Sequence, residues 1–88
     1  MKSAFRRSFA RDLKRIKDDT DLDRVQHVIH EVEQAASVSA ISNPKKLSGT
    51  ANYYRIRVGE YRVGIAVEKD TVEFIRCLPR RDLYRFFP

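Results

Sequence analysis

Three arginines, Arg55, Arg57 and Arg62, fall in the stretch Y-Y-R-I-R-V-G-E-Y-R-V, residues 53 to 63, at spacings that bring their guanidiniums together. Alternation with period two turns Tyr54, Ile56 and Val58 to one face of a strand and Arg55 and Arg57 to the other. Gly59-Glu60 reads as a hairpin turn, and the returning strand, Tyr61 to Val67, starts with Arg62 within reach of the same face. Arg62 is expected there as an exposed charge. Guanidiniums stay charged at every working pH and donate in a planar fork, so three on one hairpin suit phosphate and any charge that builds on it during reaction. Tyr53 shares the parity of Arg55 and Arg57, and an aromatic beside guanidiniums grips single-stranded RNA, with charge for the phosphates and stacking for the bases. Lys45 and Lys46 ahead of the hairpin, and Arg80 and Arg81 beyond it, are assigned as further phosphate contacts. A row of strand arginines also serves as plain solvated surface, and tyrosines as cross-strand packing; the pattern alone leaves both readings open.

The other reactive side chains form no comparable set. His27 and His30 stand three apart, but no second cysteine or third histidine completes a metal site, and neither metal nor cofactor is expected. Glu60 is a turn carboxylate and needs no catalytic role. Lys46-Leu47-Ser48-Gly49 is too poor in glycine for a phosphate loop; it reads as a turn with Leu47 tucked inwards. Cys77 is the single cysteine, so no internal disulfide forms, and its neighbours Ile75 and Leu78 mark it as a small buried side chain in a reducing compartment.

At 88 residues the chain makes one domain, residues 1–88, with one core. Its net charge of +6 suits a polyanionic partner, and most of the excess lies in the second half, with the hairpin. No run is long enough for a membrane span, and the first residues lack the apolar segment of a signal peptide, so a cytoplasmic protein is expected. Residues 1 to 7 read as a short edge strand. Ser8 is the expected N-cap of a helix from Phe9 to Lys17, with Asp12 in its first turn. Thr20 and Asp23 resemble a capping box for a longer helix carrying Leu22, Val25, Ile29, Val32 and Ala36 on one face. The two helices are expected as an antiparallel hairpin. Asn43-Pro44 forbids further helix. After the arginine hairpin, a polar turn at Val67 to Thr71 leads to a third strand, Val72 to Leu78, ended by Pro79, and Arg80 to Phe87 reads as a short helical tail. The expected class is α+β: a two-helix hairpin packed on a small antiparallel sheet, with a C-terminal helical tail.

With these residues in place, the chain resembles the RelE/ParE superfamily, the toxins of type II toxin-antitoxin modules. The matching runs are S-F-A-R-D-L-K-R-I (Ser8 to Ile16), N-P-K-K-L-S-G (Asn43 to Gly49), Y-R-I-R-V-G-E-Y-R-V (Tyr54 to Val63) and R-R-D-L-Y-R (Arg80 to Arg85). On the RelE side the resemblance implies a ribosome-dependent endonuclease that cuts mRNA in the A site; on the ParE side, a poison of DNA gyrase. A non-catalytic partner-binding domain is the third class, because fold does not fix function. The resemblance gives catalytic roles to Arg55, Arg57, Arg62 and Tyr84, and implies a cognate antitoxin, the ribosome and mRNA as partners. Pro79 stands where many relatives carry a histidine, so an imidazole acid or base is missing there. Proton transfer is then left to Tyr84, to ribosomal RNA or to solvent.

Overall fold

The computed structural model describes residues 1–41, 44–47 and 52–87. Among the described residues these elements follow one another: β1 (Lys2–Phe5), α1 (Arg7–Lys14), α2 (Asp19–Gln34), a 3-10 turn (Val38–Ala40), β2 (Pro44–Lys46), β3 (Tyr53–Val58), β4 (Tyr61–Glu68), β5 (Thr71–Pro79) and α3 (Arg80–Phe86). The strands form one sheet in the order β1-β5-β4-β3-β2. From β2 to β5 the neighbours are antiparallel, as the hairpin turns demand, and β1 adds a parallel pairing to β5. The sheet is therefore mixed. The short strand β2 lies where only a turn is expected from Asn43-Pro44; a proline fits an edge strand because its missing N–H removes nothing from the ladder. Asn43, Ser48 and Gly49 fall outside the described residues.

Period two divides the sheet into two faces, with one register shift in the β4–β5 pairing. One face carries Ile56, Val58, Val63, Ile65, Val72, Phe74 and Cys77, and these pack with Phe9, Ile16, Val25 and Val32 from the N-terminal helices. Fully burying an Ile or Phe contributes about 1.5–3 kcal/mol, so this layer supplies the main driving force for folding. Helix α2 is amphipathic as its spacing predicts, but Asp18, not Thr20, caps it, accepting from the Thr20 and Asp21 backbone N–H groups. Ala35, not Ala36, is buried at its end.

Helix α1 begins two residues earlier than expected, with Arg6 at the N-cap, and Ser8 has another task. Strand β1 stops at Phe5, so beyond it the outer edge of β5 has no strand partner. Side chains and backbone from the start of α1 take over: the Arg6 N–H donates to Phe74 O, the Ser8 hydroxyl to Ile75 O at 2.6 Å, and the Asp12 carboxylate accepts from the Cys77 N–H at 2.9 Å. Unpaired backbone polar groups are costly when buried, and these contacts satisfy them. Asp12 is thus not a dipole-matching residue of the first turn. It is 3% exposed and also accepts two bonds from Arg76, at 2.8 and 3.1 Å.

The opposite face is covered in part by α3, where Ile75, Leu78, Leu83 and Phe87 form a second, smaller cluster. Pro79 ends β5 and serves as the N-cap position of α3. The arginines lie beside this helix.

Candidate functional site

The β3–β4 hairpin has the register that the spacing predicts. Arg57 pairs with Arg62 and Arg55 with Gly64, and cross-strand partners share a face, so the three arginines stand on the α3 side of the sheet. Gly59 opens the turn at φ 58°, a backbone conformation suited to glycine. Strand β2 then extends the basic row, because Lys45 pairs with Arg55. From the far side, α3 begins with Arg80, whose N–H donates to Glu60 O at 2.9 Å and ties the helix to the turn. The result is a cleft of about 380 Å³ lined by Pro44, Lys45, Arg55, Arg57, Arg62 and Arg80. A second groove of about 540 Å³ adjoins it through Arg80 and is lined by Glu60, Pro79, Arg81 and Tyr84 as well.

Arg62 differs from the expectation. It is buried, not exposed, and its Nη1 donates at 2.8 Å to both Gly59 O and Tyr61 O, so it braces the turn as well as lining the cleft. Burial lowers its pKa from the usual arginine value, and the guanidiniums of Arg57, Arg80 and Arg55 push in the same direction, against a smaller opposing effect of Glu60. Like charges held this close repel one another, and an anion in the cleft relieves that repulsion. Arg62 is held by its two bonds to the turn before any ligand arrives.

Tyr84 is well exposed, and its ring lies over Arg55, with Cζ 5.1 Å from the ring centroid. This cation–π contact joins α3 to the arginine strand β3. Lys46 does not take part: it pairs with Tyr54, which packs towards the N-terminal helices, so Lys46 lies on the other side of the sheet from the arginines. Tyr53 has the right parity but is half-buried and set edge-on against Phe87, at 5.5 Å between centroids, as packing and not as a free stacking platform. Arg81 borders the Tyr84 groove and not the arginine cleft.

The residues that sequence reasoning passed over are Asp12, Gly64, Arg76 and Phe87. Asp12 left one trace, since its place three after Phe9 and four before Ile16 puts a carboxylate on the apolar stripe of a helix. A charge there needs a partner, and Arg76 supplies it; the hydrogen bonds that Arg76 donates to Asp12 raise the pKa of Arg76. Among the described residues, no group of three or more His, Cys, Asp or Glu side chains is placed to hold a metal ion, and no helix is long and apolar enough to cross a membrane.

The architecture and the cationic cleft define a small α+β domain of the kind that toxins of toxin-antitoxin modules use. The model of the family described as "ParE toxin of type II toxin-antitoxin system, parDE" matches residues 4–84. The chain is 40% identical over 89 residues to Toxin RelE3 of Methanocaldococcus jannaschii, covering all of both chains. Its fold superposes with a TM-score of 0.81 on a chain of the RelB-RelE antitoxin-toxin complex from Methanococcus jannaschii, at 39% identity, covering 97% of this chain and 99% of that one. A chain of the archaeal RelE-RelB complex from Pyrococcus horikoshii shares the fold at a TM-score of 0.73 and 20% identity, covering 90% of this chain and 93% of that one. The chain belongs to the RelE/ParE superfamily and is the toxin component of a type II toxin-antitoxin system.

Proposed function

We propose that this toxin is a ribosome-dependent endoribonuclease that arrests translation in the cytoplasm by cutting mRNA. The observation that carries the reading is the contact between the Tyr84 ring and Arg55, which brings a phenol from the adjoining groove against one of the cations of the arginine cleft. In the reaction the 2′-oxygen attacks the adjacent phosphorus and the bond from phosphorus to the 5′-oxygen breaks, leaving a cyclic phosphate and a 5′-hydroxyl. Charge on the phosphorane oxygens is greatest midway, where Arg55, Arg57 and Arg62 act without reorganising. Arginine holds its proton too tightly to exchange it, so Tyr84 is the residue here that can orient the 2′-hydroxyl or hand a proton to the leaving oxygen. With no histidine at position 79, positioning carries much of the rate, and the ribosome supplies it for the message. Lys45 and Arg80 hold flanking phosphates, and Arg81 extends that track past Tyr84.

An antitoxin chain is the natural inhibitor. Relatives are seen in RelB-RelE antitoxin-toxin complexes, and a concentrated basic cleft on so small a domain favours an acidic segment laid across it. Co-expression with the adjacent reading frame should restore growth, and the two chains should co-purify.

The second reading, a gyrase poison, draws on the match to the ParE toxin model. One experiment separates the two. Purified toxin added to ribosomes with a programmed A site should cut the message, and Tyr84→Phe should slow the cut by roughly 10² while ribosome binding persists. Intact message, together with stalled gyrase and broken DNA, would replace the nuclease with the gyrase poison.

A further inference from the structure

One row of register-paired residues crosses four strands beneath α3: Lys45 on β2, Arg55 on β3, Gly64 on β4 and Arg76 on β5. Three aromatic side chains from the C-terminal segment meet it in turn. Tyr84 lies over Arg55, Phe86 lies over Arg76 at 5.5 Å, and Phe87 sits on Gly64. The middle contact admits no side chain on the sheet: a Cβ at Gly64 would stand 2.8 Å from three carbons of the Phe87 ring. Phe87 itself is 4% exposed, leaves α3 in an extended conformation, and is walled on one side by Tyr53. Gly64 is thus a socket and Phe87 the side chain that fills it. Gly64 is also the direct partner of Arg55, so the socket fixes α3 one residue across from the point where Tyr84 must land.

The sheet is bent to build this row. Pairing runs from Gly64–Arg76 to Ile65–Phe74, which leaves Ile75 as an extra residue on β5. A bulge of this kind re-aims the side chains that follow it. Phe74 and Cys77 both join the layer under the N-terminal helices, whereas Ile75 joins the cluster under α3 and Arg76 pairs with Gly64 there. Asp12 grips the bulge by its two bonds to Arg76 and one to the Cys77 N–H.

We propose that Gly64 and Phe87 are positioning residues for Tyr84: by seating Phe87 against bare backbone they place the Tyr84 ring over Arg55 and so set where its hydroxyl can reach, and the Asp12-held bulge fixes the third point of the same contact. The proposal deepens the nuclease reading and rests on it for its kinetic consequence. Gly64→Ala fills the socket, and Phe87→Ala empties it without adding anything to the sheet. Each should lower kcat for ribosome-bound mRNA by roughly 10², the loss expected of Tyr84→Phe itself, with KM unchanged, since the cleft arginines stay in place; a misplacement of about 1 Å is enough for such a loss. Adding Tyr84→Phe to either variant should then cost nothing further, because the hydroxyl is already out of place. If the losses instead multiply, the socket acts only on stability and the proposal fails. Phe87→Ala carries the test should Gly64→Ala melt too low to assay. A readout independent of activity is the nuclear Overhauser contact between the Tyr84 ring and the Arg55 side chain, expected in the unaltered toxin and absent from both variants. Its survival in them overturns the positioning role. Absence of mRNA cleavage by the unaltered toxin, with the Overhauser contacts behaving as expected, sinks the nuclease reading and leaves the positioning standing.

Discussion

The two faces of the sheet are built from the same strands and obey opposite rules. Towards the N-terminal helices β3, β4 and β5 place aliphatic or aromatic side chains, and Ile56, Val63, Ile65, Val72 and Phe74 have no solvent exposure at all. Towards α3 the cover is partial: Leu78, Leu83 and Phe87 close one part, and the arginines stand open beside it. A face that is completely covered can only add stability. A face covered by one seven-residue helix keeps an edge where buried packing and exposed charge meet, and the candidate site lies on that edge. Arg62 belongs to both regimes, buried like a core residue and lined up with the exposed cations.

Substitutions should separate the two faces. On the closed face, Phe74→Ala removes a ring packed between Phe5 and Phe9, with centroids at 5.0 and 5.3 Å, and should cost about 3–5 kcal/mol in a denaturant titration. On the open face, Arg57→Ala should leave the melting temperature nearly unchanged, because Arg57 is exposed, yet reduce mRNA cleavage by roughly 10²–10³, the effect of losing one donor to a developing oxyanion. Arg62→Ala tests the border. It should lose activity like Arg57→Ala and also about 1–3 kcal/mol of stability, since the Gly59 and Tyr61 carbonyls lose their donor; stability equal to the unaltered toxin would show that the brace is idle.

The smallest effect concerns Cys77, in the closed face. Burial first, then the carboxylates of Asp12 and Asp21, push its thiol up to about 12 from an ordinary 9.0. A raised pKa on an acid means that the folded state keeps a proton the unfolded chain releases. Stability from this residue is therefore whole below pH 9 and declines as the pH rises towards 12. Cys77→Ala should flatten that part of the pH profile by comparison with the unaltered toxin, and iodoacetamide at pH 8 should label the native thiol only after denaturant is added.

The arginine face was legible because period two is a local property: the parity of Arg55 and Arg57 and the turn at Gly59 decide it within ten residues. The long helix and the third strand were legible for the same reason. What could not be read depends on elements distant in sequence. Strand β2 is three residues long and is a strand only because β3 lies beside it. Lys45 and Lys46 are chemically alike, and only that pairing sends one to the cleft and the other to the far side. The burial of Arg62 goes with its bonds to the Gly59 and Tyr61 carbonyls of the turn, which a count of charges does not show. Gly64 gave no signal because its value lies in a ring that arrives from residue 87.

The order of strands also sets a timetable for synthesis. Strand β1 is made at the beginning of the chain and pairs with β5, which is made after every other strand and lies between β1 and β4. Until residues 71–79 have emerged, β1 has no partner, the N-terminal helices have only part of a sheet to pack on, and neither Arg80 has joined the cleft nor Tyr84 the groove beside it. Contacts between the two ends of a chain form late because the whole intervening loop must close first. A ribosome that has not yet delivered β5 and α3 therefore carries no finished cleft: the poison is assembled only once those two elements have joined the strands made before them.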